Sequence, residues 1–199
     1  MERLTSLPVT GLKGDAKRLF EEIVGGDRGK TRPREDFLNE QGGLRGPFNP
    51  LLYSPQIGLV SQKLGEMIRF HSSLADDVRE VAILTVAARW KADYEWWAHE
   101  KIGRKAGLKD ETLTAIKNET LAEASDAAPE LIAVNQMIIQ LLDRHKVDPE
   151  TFNKVKSQLG ETGIVELVVL FGYYTLVSAT LNTFEVALPS GVESPFGDG

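Results

Sequence analysis

The segment from Gly163 to Phe184 reads GIVELVVLFGYYTLVSATLNTF, an almost unbroken apolar run whose length approaches that of a membrane span. It also carries Glu166, Asn182, two tyrosines and several Ser and Thr residues. An ionised carboxylate in lipid is costly, so the run is expected to be a buried helix of a soluble protein and not a membrane span. Glu166 then needs a partner inside the fold. A helix that is apolar on most sides must be covered by other elements. No stretch of the chain alternates polar and apolar residues as a strand would, so those elements are expected to be helices and the fold all-α.

The remaining periodicity agrees. Gly14 to Val24 places Leu19, Phe20 and Ile23 at helical spacing, with Asp15 as a candidate cap and Gly25-Gly26 as a stop. A turn-rich stretch follows from Asp27 to Pro55, longer than most loops of compact domains. Its first part, DRGKTRPR, holds four basic residues in eight, and is expected to be a solvated loop because turn residues and opposite charges accompany them. Gln56 to Phe70 sets Leu59, Val60, Leu64, Met67 and Ile68 on one stripe, which is expected to pack on the core. Val78 to Trp90 is apolar enough to be buried nearly all round, and Glu80 lies within it. After a break at Lys91 to Asp93, Tyr94 to Ala106 forms a helix that Gly107 can end by taking the left-handed conformation. Helices are expected over Lys109 to Asn118, Pro129 to Arg144 and Pro149 to Leu159, and the Gly- and Pro-rich tail from Pro189 is expected to wrap a neighbour or lie loose. Three parts result: residues 1–55 as a helix and long loop, 56–188 as a helical core, and 189–199 as a flexible tail.

The 199 residues carry a formal net charge of -6, so no field that gathers nucleic acid is expected. The absence of cysteine excludes disulfides, thiolate metal sites and thiol catalysis. The N-terminus lacks the hydrophobic run of a secretory signal, which makes the cytoplasm the expected compartment.

Glu95 and His99 stand four apart on one helix, so their side chains can touch. The short break at Lys91 to Asp93 favours a hairpin that brings Glu80 to the same place. Two carboxylates and an imidazole in a partly dry site can hold an acid and a base near neutrality, and proton transfer is the chemistry they suit. The same spacing also serves an ordinary ion pair that fixes two helices. A metal centre is not expected: di-metal bundles use Glu-x-x-His steps, and the other histidines, His71 and His145, lie near a loop and a helix end. All three tryptophans cluster here with Tyr94; at least two of Trp90, Tyr94, Trp96 and Trp97 are expected to belong to the core, and the others, with Tyr94 and Trp96 as the candidates, to wall a small-molecule pocket. Arg45 and Arg89 are candidate forks for a carboxylate.

The stretch REVAILTVAARWKADYEWWAHEKIGRKAGL, residues 79–108, resembles the carboxymuconolactone decarboxylase family, which shares an all-helical fold with the alkylhydroperoxidase D proteins. RGPFNPLLYSP, residues 45–55, resembles the loop before the core helices in longer members. In the peroxidase branch the helix carries Cys-x-x-Cys-x-x-x-His. With His99 in the histidine position, the cysteine positions fall on Ala92 and Glu95, and the glutamate of the preceding helix on Glu80. The resemblance therefore points to the thiol-free decarboxylase branch, which has a glutamate four residues before the histidine. It implies a lyase or isomerase, without metal or organic cofactor, acting on a small carboxylated, unsaturated acid or lactone. His99 would be the general acid and base, Glu95 its orienting partner or second proton carrier, Glu80 the polarising residue and Arg45 the carboxylate clamp; Phe48 joins Tyr94 and Trp96 as a candidate substrate contact. It also implies a homo-oligomer, a trimer or hexamer. The alternatives are a peroxidase-fold protein without thiols and a non-catalytic oligomer that binds a ligand.

Overall fold

The computed structural model describes residues 3–123 and 127–197, and among these there are eight α-helices and no strand beyond an isolated bridge between Leu38 and Leu44. They are α1 (Gly14–Gly25), α2 (Phe48–Leu52), α3 (Pro55–Phe70), α4 (Asp76–Trp90), α5 (Asp93–Lys105), α6 (Asp110–Lys117), α7 (Pro129–Arg144) and α8 (Pro149–Thr183). The expected helices all form. The chain divides into two compact units, Met1–His71 with Thr180–Glu193, and Ser72–Ala179 with Ser194–Gly199.

In the first unit, Leu19, Phe20 and Ile23 of α1 pack with Phe37, Leu44 and Leu52, so the long segment after α1 supplies half of a small core. Two expectations are corrected here. The basic stretch is not simply a solvated loop: Arg28 is buried, donates to the backbone and side-chain oxygens of Gln62 at 3.1 and 3.2 Å, and lies over the ring of Phe48. Burial of a guanidinium is tolerable where its hydrogen-bond donors find acceptors and its plane finds an aromatic face. On α3, the stripe expected to pack inward is turned largely outward, with Val60 73% exposed and Leu64 and Met67 also exposed. The buried face is instead Gly58, Gln62, Gly65, Glu66 and Ile68. Gly58 explains the choice, because a Cβ there would stand 2.6 Å from Leu19 Cδ2 and 2.8 Å from the Leu51 carbonyl oxygen. Close approach to α1 requires the glycine face.

In the second unit α4 is the central element. Ten of its fifteen residues are buried, Glu80 and Thr85 among them. It packs against α5, α6 and α7. Thr85 donates to the Val81 carbonyl and accepts from Asn135 of α7 at 2.8 Å, so the two buried polar side chains satisfy each other. The chain leaves α4 through Lys91 in the left-handed region, φ 47°, and reverses at once into α5. At the far end of α5, Gly107 takes φ +98°, with Leu108 N bonded to Gly103 O and Gly107 N to Arg104 O. That is the Schellman arrangement the glycine foretells. Asp15, Asp76 and Asp77 lie in first turns and not at cap positions, which fall to Lys13 in α1 and Ala75 in α4, whereas Asp148 does cap α8, its Oδ1 accepting from the Thr151 N–H at 2.8 Å.

Helix α8 is long and apolar enough to cross a membrane by length and composition, yet Leu167, Leu170, Tyr173, Tyr174 and Val177 are buried inside the unit. Glu166 accepts from the backbone and hydroxyl of Ser73 at 2.8 and 2.6 Å, which is the partner its position demands. Gly160, φ +70°, separates an amphipathic first part of α8 from the apolar run. The opposite face of that run, with Val165, Val168, Val169 and Leu176, is exposed.

Candidate functional site

The hairpin of α4 and α5 assembles the three expected residues. Glu80 comes from α4, and Glu95 and His99 lie one turn apart on α5. His99 Nδ1 is 2.6 Å from Glu80 Oε2, and His99 Nε2 is 3.1 Å from Glu95 Oε1. All three are buried, at 1% exposure for Glu80 and 4% for both Glu95 and His99. Each ring nitrogen faces a carboxylate oxygen, and only the imidazolium donates from both. Burial acts to lower the His99 pKa, but the charges of Glu80 and Glu95 and their hydrogen bonds outweigh it and push the value up to about 9. At neutral pH the centre is therefore a cation held between two carboxyl groups.

Two further residues surround this core. Tyr174 of α8 stands edge to face on the His99 ring, with centroids 5.2 Å apart and planes at 84°. Arg79 Nε lies 3.9 Å from Glu80 Oε1, a charge contact longer than a hydrogen bond. Sequence reasoning missed both. Arg79 is adjacent to Glu80 and could have been found as its charge partner, whereas Tyr174 comes from an apolar run far along the chain and carries no local signal.

The expected substrate contacts are distributed differently. Trp96 is 2% exposed and packs against Phe196, and Tyr94 is buried with its ring against Trp97. Arg45 and Phe48 belong to the first unit, where the Arg45 Nε donates to the Leu38 carbonyl and Phe48 lies beneath Arg28. Arg89 is engaged by Glu119 and Asp143. Among the described residues no group of three or more His, Asp or Glu is arranged to hold a metal ion.

No protein-family model matches the sequence, and no curated protein matches it significantly. The fold does match solved structures. An uncharacterised peroxidase-related protein from Ralstonia eutropha JMP134, described as an alkylhydroperoxidase AhpD core, superimposes with a TM-score of 0.73 at 14% identity, covering 95% of this chain and 93% of its own. An uncharacterised peroxidase-related protein from Silicibacter sp. TM1040 gives 0.71 at 11% identity, covering 95% and 92%. A protein of unknown function from Agrobacterium tumefaciens, with a suggested AhpD antioxidant-defence role, gives 0.64 at 14% identity, covering 75% and 100%. Identities this low establish a shared architecture: the chain has the AhpD-like all-α fold.

Proposed function

We propose that the chain is a cofactor-independent lyase or isomerase that acts on a small unsaturated organic acid or lactone by proton transfer through His99, Glu95 and Glu80. The observation that carries this reading is the doubly bracketed imidazolium. With a pKa of about 9, His99 is a stored proton at neutral pH, and Glu80 at 2.6 Å stabilises the cation and fixes its ring. In a decarboxylation, the bond between the carboxylate carbon and the substrate breaks, carbon dioxide leaves, and the electron pair passes into the unsaturated system. His99 Nε2 then delivers its proton to the carbon that holds the pair, and water restores the imidazolium afterwards. Glu95, beside Nε2, is placed to carry the proton in either direction. General acid catalysis of this kind contributes on the order of 10² to 10⁴ in rate.

The reading includes a cytoplasmic homo-oligomer of three or six copies, supported by the uncharged outward stripes of α3 and α8. The testing experiment incubates chelator-treated protein with carboxymuconolactone and follows carbon dioxide release. Release that falls by at least about 10²-fold in Glu95→Gln and in His99→Ala fits the mechanism. Release that persists in both variants removes it.

A second reading follows from the peroxidase-related descriptions of two of the solved structures. A peroxide-consuming activity on this fold would have to run without thiols, since Ala92 and Glu95 stand where the family resemblance places the cysteine pair. Loss of peroxide in the presence of purified protein, abolished by His99→Ala, would select it.

A further inference from the structure

His99 and Glu95 are each 4% exposed, so a substrate reaches them only where some covering element gives way. Asp93, Trp96 and His99 follow at three-residue steps along α5 and share one face of it. A short piece near the end of the chain lies on the first part of that face. Ser194 Oγ donates to Asp93 Oδ2 at 2.8 Å, and Phe196 N–H donates to Asp93 Oδ1 at 3.1 Å. The Phe196 ring meets Trp96 at 5.5 Å and 73°, and Lys117 Nζ of α6 lies 5.6 Å from its centroid. Phe196 is half-buried, whereas the indole beneath it is 2% exposed.

We propose that Ser194–Gly197 is a displaceable plug, and that Phe196 occupies a slot on Trp96 and Lys117 in which an aromatic or conjugated carboxylate binds when the segment lifts. The plug is held weakly. It belongs to no helix or strand, its own backbone bond is the turn from Gly197 N to Ser194 O at 3.3 Å, and its two bonds to Asp93 are ones that water can replace. The slot is specific. Trp96 offers a face or edge to a planar ring, and Lys117 offers a cation within reach of a carboxylate carried on that ring. Lys117 makes no ion pair among the described residues, so its charge is free to take one. Trp96, the floor of the slot, stands one helical turn before His99 on α5.

The ligand class rests on the proton-transfer reading, but the occupancy of the slot does not, and binding separates the two. The probe is benzoate, followed by calorimetry, with benzyl alcohol as the uncharged control. Removing the competing ring in Phe196→Ala is expected to tighten benzoate by about tenfold. Adding Lys117→Gln is expected to cancel the gain, and benzyl alcohol is expected to show less of it. Ser194→Ala loosens the latch with the ring kept and is expected to give a smaller gain in the same direction, which carries the test should Phe196→Ala fail to fold. Equal benzoate affinity in wild type and both variants overturns the plug, as does a gain that ignores Lys117. Benzoate binding with no turnover of any acid would leave the plug standing and remove the reaction. Turnover that is indifferent to Phe196 and Ser194 would do the reverse.

Discussion

Raising the pH should undo a defined part of this protein's stability. The His99 pKa rises from 6.5 to about 9 on folding, which at ~1.4 kcal/mol per unit corresponds to roughly 3 kcal/mol. The direction follows from which state holds the proton. Below pH 6.5 His99 is protonated in both folded and unfolded chains, and the full contribution is present. Between 6.5 and about 9 the unfolded chain has released the proton and the folded one retains it, so stability declines steadily. Above about 9 both have lost it and the contribution is gone. Urea unfolding of wild type and His99→Gln at intervals from pH 6 to pH 10 isolates the effect, because the lysines that titrate at the upper end are common to both chains. The difference in unfolding free energy should shrink by about 3 kcal/mol across that window. Carbon-labelled histidine gives an independent check, with the resonance missing from the His99→Gln spectrum titrating near 9. A stability difference that is flat with pH, or a His99 resonance that titrates between 6 and 7, would refute the doubly bracketed imidazolium and with it the stored proton.

Two other perturbations test the packing around the site. Gly58→Ala should cost about 1–3 kcal/mol in thermal or urea unfolding, because the new methyl meets the Leu51 backbone oxygen as well as the yielding end of Leu19; a neutral effect would mean that α1 and α3 are not in close contact. Thr85→Val should cost about 1–3 kcal/mol by leaving the Asn135 amide buried without its acceptor, and a second change, Asn135→Leu, should recover part of the loss. Absence of coupling between the two in a double-mutant cycle would count against their contact.

The helices of this chain were legible because each is announced locally. Apolar residues recur at helical spacing, Pro129 and Pro149 stand at starts, and Gly107 stands at a stop, so every expected helix formed within a residue or two of its place. The triad was legible for a related reason. Glu95 and His99 meet within one turn, and the short link to α4 leaves Glu80 few other places to go. What the sequence concealed depends on partners far along the chain. On α3 the apolar stripe pointed to the wrong face, since a glycine face that permits close helix approach carries no hydrophobic signal. Arg28 resembled a loop cation until Gln62 and Phe48 supplied its surroundings. Tyr174 and Phe196 reach α5 from residues later by more than seventy positions, and nothing near either of them announces the contact.

The hairpin of α4 and α5 also bears on how the molecule comes into being. Glu80, Glu95 and His99 fall within twenty residues of one another, closed by the turn at Lys91, so the loop that must close to join them is short and its entropy cost small. Contacts of such low sequence separation form early, and chains emerge from synthesis N-terminus first. The charged centre is therefore complete in sequence while Tyr174, the ring that seats its imidazole, is still unmade. The growing chain carries three ionisable groups poised for burial before the long apolar helix arrives to shield them from water.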